Sequence, residues 1–141
     1  MKRTENAISY VIYSEDRARI LAVKRPPDDE LPDAWGLPAG TVKEGETPED
    51  AVLRSGKEKL GVKLEINGML NEGKIERETY VLHMKLYEVK ITEGEPKIPQ
   101  ASEGVTQYVE WKWKKPEELK EAASKGSLCS RLFLDKLGIG W

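Results

Sequence analysis

Residues 47–61 spell out both ends of a helix, and this element constrains the rest of the chain most. Thr47 can cap a helix N-terminus with its hydroxyl, and Pro48 suits the first helical position. Glu49 and Asp50 put negative charge at the positive end of the helix dipole. Gly61 supplies the stop, because glycine takes the left-handed C-cap conformation without strain. Val52, Gly56 and Leu60 recur every four residues and predict the face that meets a sheet.

The flanking segments read as strands. Residues 8–13 are rich in β-formers. Residues 19–24 carry apolar side chains on both faces, as a strand covered on both sides would. Pro26-Pro27-Asp28-Asp29 ends it and opens a loop to Trp35. Residues 62–75 predict one or two strands around Gly68. Residues 79–91 give the longest strand signal, with a change of alternation near Tyr87 that predicts a bulge. Residues 105–113 return as a strand and 116–125 as a helix. Ser127 caps a last helix that Gly138 stops. The order ββ, α, two or three strands, αα predicts an α+β fold, a mixed β-sheet sandwiched between α-helices. At 141 residues, a single domain over 1–141 is expected.

Composition removes several functional classes. Net charge is −2 with 34% charged residues, which argues against a reader of long nucleic acid. No apolar run approaches the roughly 20 residues that cross a bilayer. The first residues, MKRTENAISY, lack a secretory apolar core, so a cytoplasmic protein without a membrane partner is expected. The one cysteine, Cys129, rules out an internal disulfide and reads as core. The sole histidine, His83, rules out a histidine-rich zinc site.

Chemistry concentrates on the helix. Positions 55, 58 and 59 share one face. Three carboxylates there would repel each other unless divalent cations neutralised them, and Mg²⁺ prefers such oxygen ligands. Here the face carries Ser55, Glu58 and Lys59. Read alone, Glu58 and Lys59 are a solvated helix face, and Arg54 with Glu58 an ordinary i,i+4 ion pair.

In the stretch GTVKEGETPEDAVLRSGKEKLGV, Gly40, Glu46, Arg54, Glu58, Gly61 and Val62 fall in the register of the Nudix box. That box reads Gly, five residues, Glu, seven residues, Arg-Glu-apolar, one residue, Glu-Glu, one residue, Gly-apolar. The loop Trp35-Gly36-Leu37-Pro38-Ala39-Gly40 is similar to the family's Trp-x-Leu-Pro-Gly-Gly, and Glu110-Trp111 followed by Glu118-Leu119 to a late segment of it. The chain therefore resembles the Nudix hydrolase family (MutT-like), with a degenerate box in which Ser55, Gly56 and Lys59 depart from the pattern.

The resemblance implies a Nudix fold and a Mg²⁺- or Mn²⁺-dependent hydrolase of nucleoside diphosphate-linked small molecules, with a metal-activated water attacking the pyrophosphate. It implies Glu58 as metal ligand, Arg54 as the group that orients it, and the Ala39 carbonyl as a further ligand. Glu46 braces the loop. Glu103, with Glu95 and Glu110 as alternatives, is the candidate late acid, a second ligand or general base. Lys59, Trp35 and Arg25 are candidate substrate contacts, Lys59 touching phosphate as a point charge. The resemblance also admits a homodimer. The departures open an alternative from another class, a catalytically impaired module of the same fold that binds a nucleotide or a protein partner.

Overall fold

The computed structural model describes residues 2–27, 34–98 and 107–141. Two sheets form the centre. A four-stranded mixed sheet has the order β4-β1-β6-β5, from β1 (Arg3–Ile12), β4 (Ala39–Thr41), β5 (Lys63–Glu76) and β6 (Tyr80–Glu93). Within it β1 and β6 run parallel, and the other pairs antiparallel. A second, antiparallel sheet has the order β3-β2-β7, from β2 (Ile20–Lys24), β3 (Trp35–Gly36) and β7 (Glu110–Lys114).

Two apolar layers lie on the two sides of these sheets. One joins Ile8, Tyr10, Leu21 and Val23 to Val52 and Leu60 of the first helix. The other joins Val11, Ile20, Leu37, Met84 and Leu86 to α3 (Leu128–Leu137), through Cys129, Leu132 and Phe133. Burial of these side chains supplies the main driving force, at about 25 cal/mol per Å² of apolar surface removed from water. The expected arrangement, a mixed sheet between helices, is the one observed. No helix of the described residues is long and apolar enough to cross a membrane.

The helix begins as expected. Thr47 Oγ1 accepts a hydrogen bond from Asp50 N at 3.1 Å, and Pro48 opens α1 (Pro48–Ser55). From Gly56 to Leu60 the backbone widens into a π-helix, which ends at Gly61 with φ +70°. Nothing local in the sequence announces this change. The turn packs closely on β5: a Cβ on Gly56 would lie 2.4 Å from Leu64 Cδ1. Gly56 thus lets the widened turn lie against β5, a tertiary reason for a residue that reads as helix-weakening.

Other boundaries also move. β1 starts at Arg3, well before residue 8, because its polar first half pairs with β6 in the register Arg3↔Tyr80. β5 runs unbroken through Gly68, with register shifts at Lys63/Leu64, Ile66/Gly68 and Met69/Asn71, the last opposite Tyr87. The apparent change of alternation at Tyr87 reflects a strand buried on both faces. Met84 and Leu86 belong to the α3 layer, Tyr87 and Val89 to the α1 layer. Residues 116–125 divide into a 3₁₀ turn (Pro116–Leu119) and α2 (Lys120–Ser124). The strand expected over 105–113 begins at Glu110 within the described residues.

Candidate functional site

Two constellations sit on the α1 side, one on each flank of the helix. The first centres on Arg54. Its Nε donates to Glu46 Oε2 at 2.8 Å and its Nη2 to Glu46 Oε1 at 3.0 Å, a two-pronged contact that matches the flat guanidinium to a carboxylate. Nη1 donates to Glu58 Oε2 at 3.0 Å, and Nη2 also reaches the Thr41 carbonyl at 2.7 Å. The Arg54 hydrogen bonds hold the Glu46 carboxyl below its usual range, and Glu46 in turn raises Arg54. Glu46 Oε1 also accepts from Lys43 N at 3.0 Å, so one arginine ties the loop before the helix to the helix itself.

Glu58 lines an open groove beside this network, with Leu53, Arg54, Lys57, Lys63 and Gly94. Two chain segments are anchored at the end of the helix. Lys97 N donates to the Leu60 carbonyl at 3.0 Å and Gln107 Nε2 to the Glu58 carbonyl at 3.3 Å.

The second constellation centres on the Ala39 carbonyl. Lys59 Nζ donates to it at 2.5 Å. Tyr108 Oη donates to the same oxygen at 3.1 Å and accepts from Ala39 N at 2.8 Å. The Lys59 ammonium lies 5.0 Å from the Tyr108 ring centroid, within cation–π range. The loop beneath is fixed from behind, since Ser9 Oγ donates to the Pro38 carbonyl at 2.7 Å and Tyr10 N to the same oxygen at 3.2 Å. Ser55 is 1% exposed, its hydroxyl 3.0 Å from Tyr10 Oη. Burial pushes the Tyr10 phenol far above its usual value, so that pair stays neutral.

The structure brings Glu58, Arg54 and Glu46 together, and Lys59 with Ala39. It buries Ser55 away from solvent. Gly40 pairs with Ile8 at the edge of the sheet, beside Ser55. Trp35 packs on the α3 layer, and the Lys112 and Lys114 ammoniums lie 5.5 and 4.5 Å from its ring centroid. It therefore stands in the opposite layer from Tyr108. Arg25 follows β2, its N–H donating to the Ala34 carbonyl at 2.9 Å. Glu103 lies outside the described residues. Glu95 is exposed beyond β6, and Glu110 opens β7 opposite Lys24. Sequence reasoning did not single out Tyr108, Tyr10 or Gln107 as site residues. A hydroxyl-bearing side chain in the otherwise apolar run Tyr10-Val11-Ile12 was the available signal for Tyr10.

The NUDIX domain family model matches residues 3–136. The chain belongs to the Nudix family. It is similar to Nudix hydrolase 25 of Arabidopsis thaliana, 32% identical over 112 residues, which cover 66% of this chain and 64% of that protein. It is also similar to the dihydroneopterin triphosphate diphosphatase of Escherichia coli K12, 39% identical over 56 residues, 40% of this chain and 35% of that one. The chain thus spans less than two-thirds of either relative's length. A Nudix hydrolase from Nitrosomonas europaea shares the fold at a TM-score of 0.77 and 15% identity, over 96% of this chain and 90% of that one.

Whether this Nudix chain fits a divalent ion can be tested on its own atoms. Mg²⁺ needs near-octahedral oxygens at about 2.0–2.1 Å. The Ala39 carbonyl already accepts two hydrogen bonds, one of them from a cation. Ser55 is sealed against Tyr10, and Glu58 is bonded to Arg54. Among the described residues, no group of three or more His, Cys, Asp and Glu side chains is placed to hold a metal. The described residues do not fit a divalent ion.

Proposed function

We propose that this Nudix domain binds a small molecule carrying a nucleoside diphosphate linkage, takes its phosphates on Lys59 without a resident divalent ion, and is impaired in hydrolysis. The observation that supports this is the half-buried Lys59 ammonium. It rests on a neutral carbonyl and an aromatic face, and no carboxylate pairs with it among the described residues. An ammonium has three donors, and Ala39 uses one. A partly desolvated cation with spare donors is stabilised by an anion, and phosphate oxygens match that need. Both curated relatives carry names of phosphoanhydride enzymes or of the family, consistent with this ligand class.

Calorimetry with ADP-ribose as probe tests the reading. The expected result is equal affinity in EDTA and in Mg²⁺, with Lys59→Met at least about tenfold weaker, the loss of one charge-assisted hydrogen bond. Binding that vanishes in EDTA and returns with Mg²⁺ would overturn it.

A second reading, Mg²⁺- or Mn²⁺-dependent hydrolysis of the same linkage, is favoured by one observation: Arg54 holds Glu58 at the rim of an open groove. It requires Lys59 to leave the Ala39 carbonyl. Release of AMP from ADP-ribose by the unaltered protein, compared with Glu58→Gln, discriminates. Turnover that depends on Glu58 supports hydrolysis, and none at any metal concentration removes it.

A further inference from the structure

We propose that Lys59 is a tethered cation that denies divalent ions the Ala39 carbonyl, a role that Lys59→Glu would remove. The proposal goes beyond the ligand reading and does not need it, since it concerns the protein without nucleotide. Its first ground is occupancy. A carbonyl oxygen has two lone pairs, and those of Ala39 are met by Lys59 Nζ at 2.5 Å and Tyr108 Oη at 3.1 Å. A divalent ion bonded there at about 2.0–2.1 Å would have to expel the ammonium, and the two positive charges would repel at contact distance.

The second ground is rigidity. The carbonyl cannot easily turn to another partner. Ala39 N is bonded to Tyr108 Oη, and the preceding Pro38 carbonyl accepts from Ser9 Oγ and Tyr10 N. Tyr108 is 5% exposed and belongs to the α1-side layer, so the hydroxyl that aims the loop is itself held. The backbone oxygen is therefore presented at a fixed place, which is what a demanding ion needs from a ligand.

The third ground is the position of residue 59. Lys59 reaches Ala39 from the π-helix, next to Glu58, whose carboxylate lies on the groove side. A glutamate is shorter than a lysine by one bond. Placed at 59, it would face the Ala39 carbonyl with space between the two oxygens, in place of a direct hydrogen bond. It would also replace a positive charge with a negative one beside a second acid. The sequence change thus reverses both the charge and the filling of a position the fold already builds.

Mn²⁺ binding, followed by the loss of the free-ion electron paramagnetic signal, tests this without nucleotide. The unaltered protein is expected not to saturate at millimolar Mn²⁺. Lys59→Glu is expected to bind one ion at least about tenfold more tightly, the order by which groups around a metal site change affinity. Its melting temperature should rise with Mn²⁺, as binding to the folded state requires. Mn²⁺ binding by the unaltered protein as tight as that of Lys59→Glu would overturn the proposal. So would a folded Lys59→Glu protein that gains no affinity. Should Lys59→Glu fail to fold, Lys59→Gln decides: a gain over the unaltered protein supports exclusion by the ammonium, and no gain refutes it. Failure of ADP-ribose binding would leave these outcomes unchanged, so the two readings fail separately.

Discussion

On the flank of α1 that carries Arg54, charged side chains and a backbone carbonyl close into one network, with Glu46 and Glu58 both bonded to a single guanidinium. On the flank that carries Ser55 and Lys59, no acid balances such charge among the described residues, and a serine pairs with a tyrosine while a lysine rests on a carbonyl. The difference separates two demands on one helix. The Arg54 flank ties the helix to the loop before it. Among the described residues, the Lys59 flank meets only neutral groups, so its chemistry can change while the fold stands. A protein can thus keep the frame of a family site and exchange its charge.

Four measurements would break or sharpen this contrast. Arg54→Met should cost most, about 2–3 kcal/mol in denaturant unfolding, because it strands two partly buried carboxylates that lose charge-assisted hydrogen bonds. Gly56→Ala comes next. The added Cβ meets Leu64 Cδ1 at 2.4 Å, and overpacking of about 1–3 kcal/mol is only partly offset by the up to about 1 kcal/mol that alanine gives a helix. A net loss near 1 kcal/mol is expected, and a net gain would mean that Leu64 moves aside at little cost.

The third concerns acid. Glu46 has a lowered folded pKa, held down chiefly by Arg54. Its contribution is therefore full above the ordinary glutamate range and fades as pH falls through the depressed value. Glu46→Gln should flatten that part of the stability–pH curve and leave neutral-pH cooperativity intact. Lys59→Met should move stability least, within about 0.5 kcal/mol, as for a side chain outside any tight network. If it costs as much as Arg54→Met, the two flanks are not separate in the way described.

Much of the helix was legible because its signals are local. Thr47, Pro48 and Gly61 act through their own backbone, and each is found in the role its chemistry predicts. The start of β1 was not legible, since Arg3-Thr4-Glu5-Asn6 is polar and becomes strand only by pairing with β6. The closeness of packing at Gly56 was hidden for a similar reason, because Leu64, which lies against it, belongs to another element. At the site, Arg54 and Glu58 could be paired by their i,i+4 spacing, and Glu46 was placed only by the family resemblance. Tyr108 could not, because it reaches Ala39 across 69 residues of chain. Gly56 also shows that a departure from a motif can carry a packing reason of its own, apart from any lost chemistry.

The end of the widened turn gives its last carbonyls to remote chain, Glu58 to Gln107 and Leu60 to Lys97. A helix tip bonded in this manner does not fray on its own. Loosening it frees two distant stretches in the same event. Amide protons at Gly61 and Lys97 should accordingly exchange with deuterium as one cooperative unit, although 35 residues of sequence stand between them.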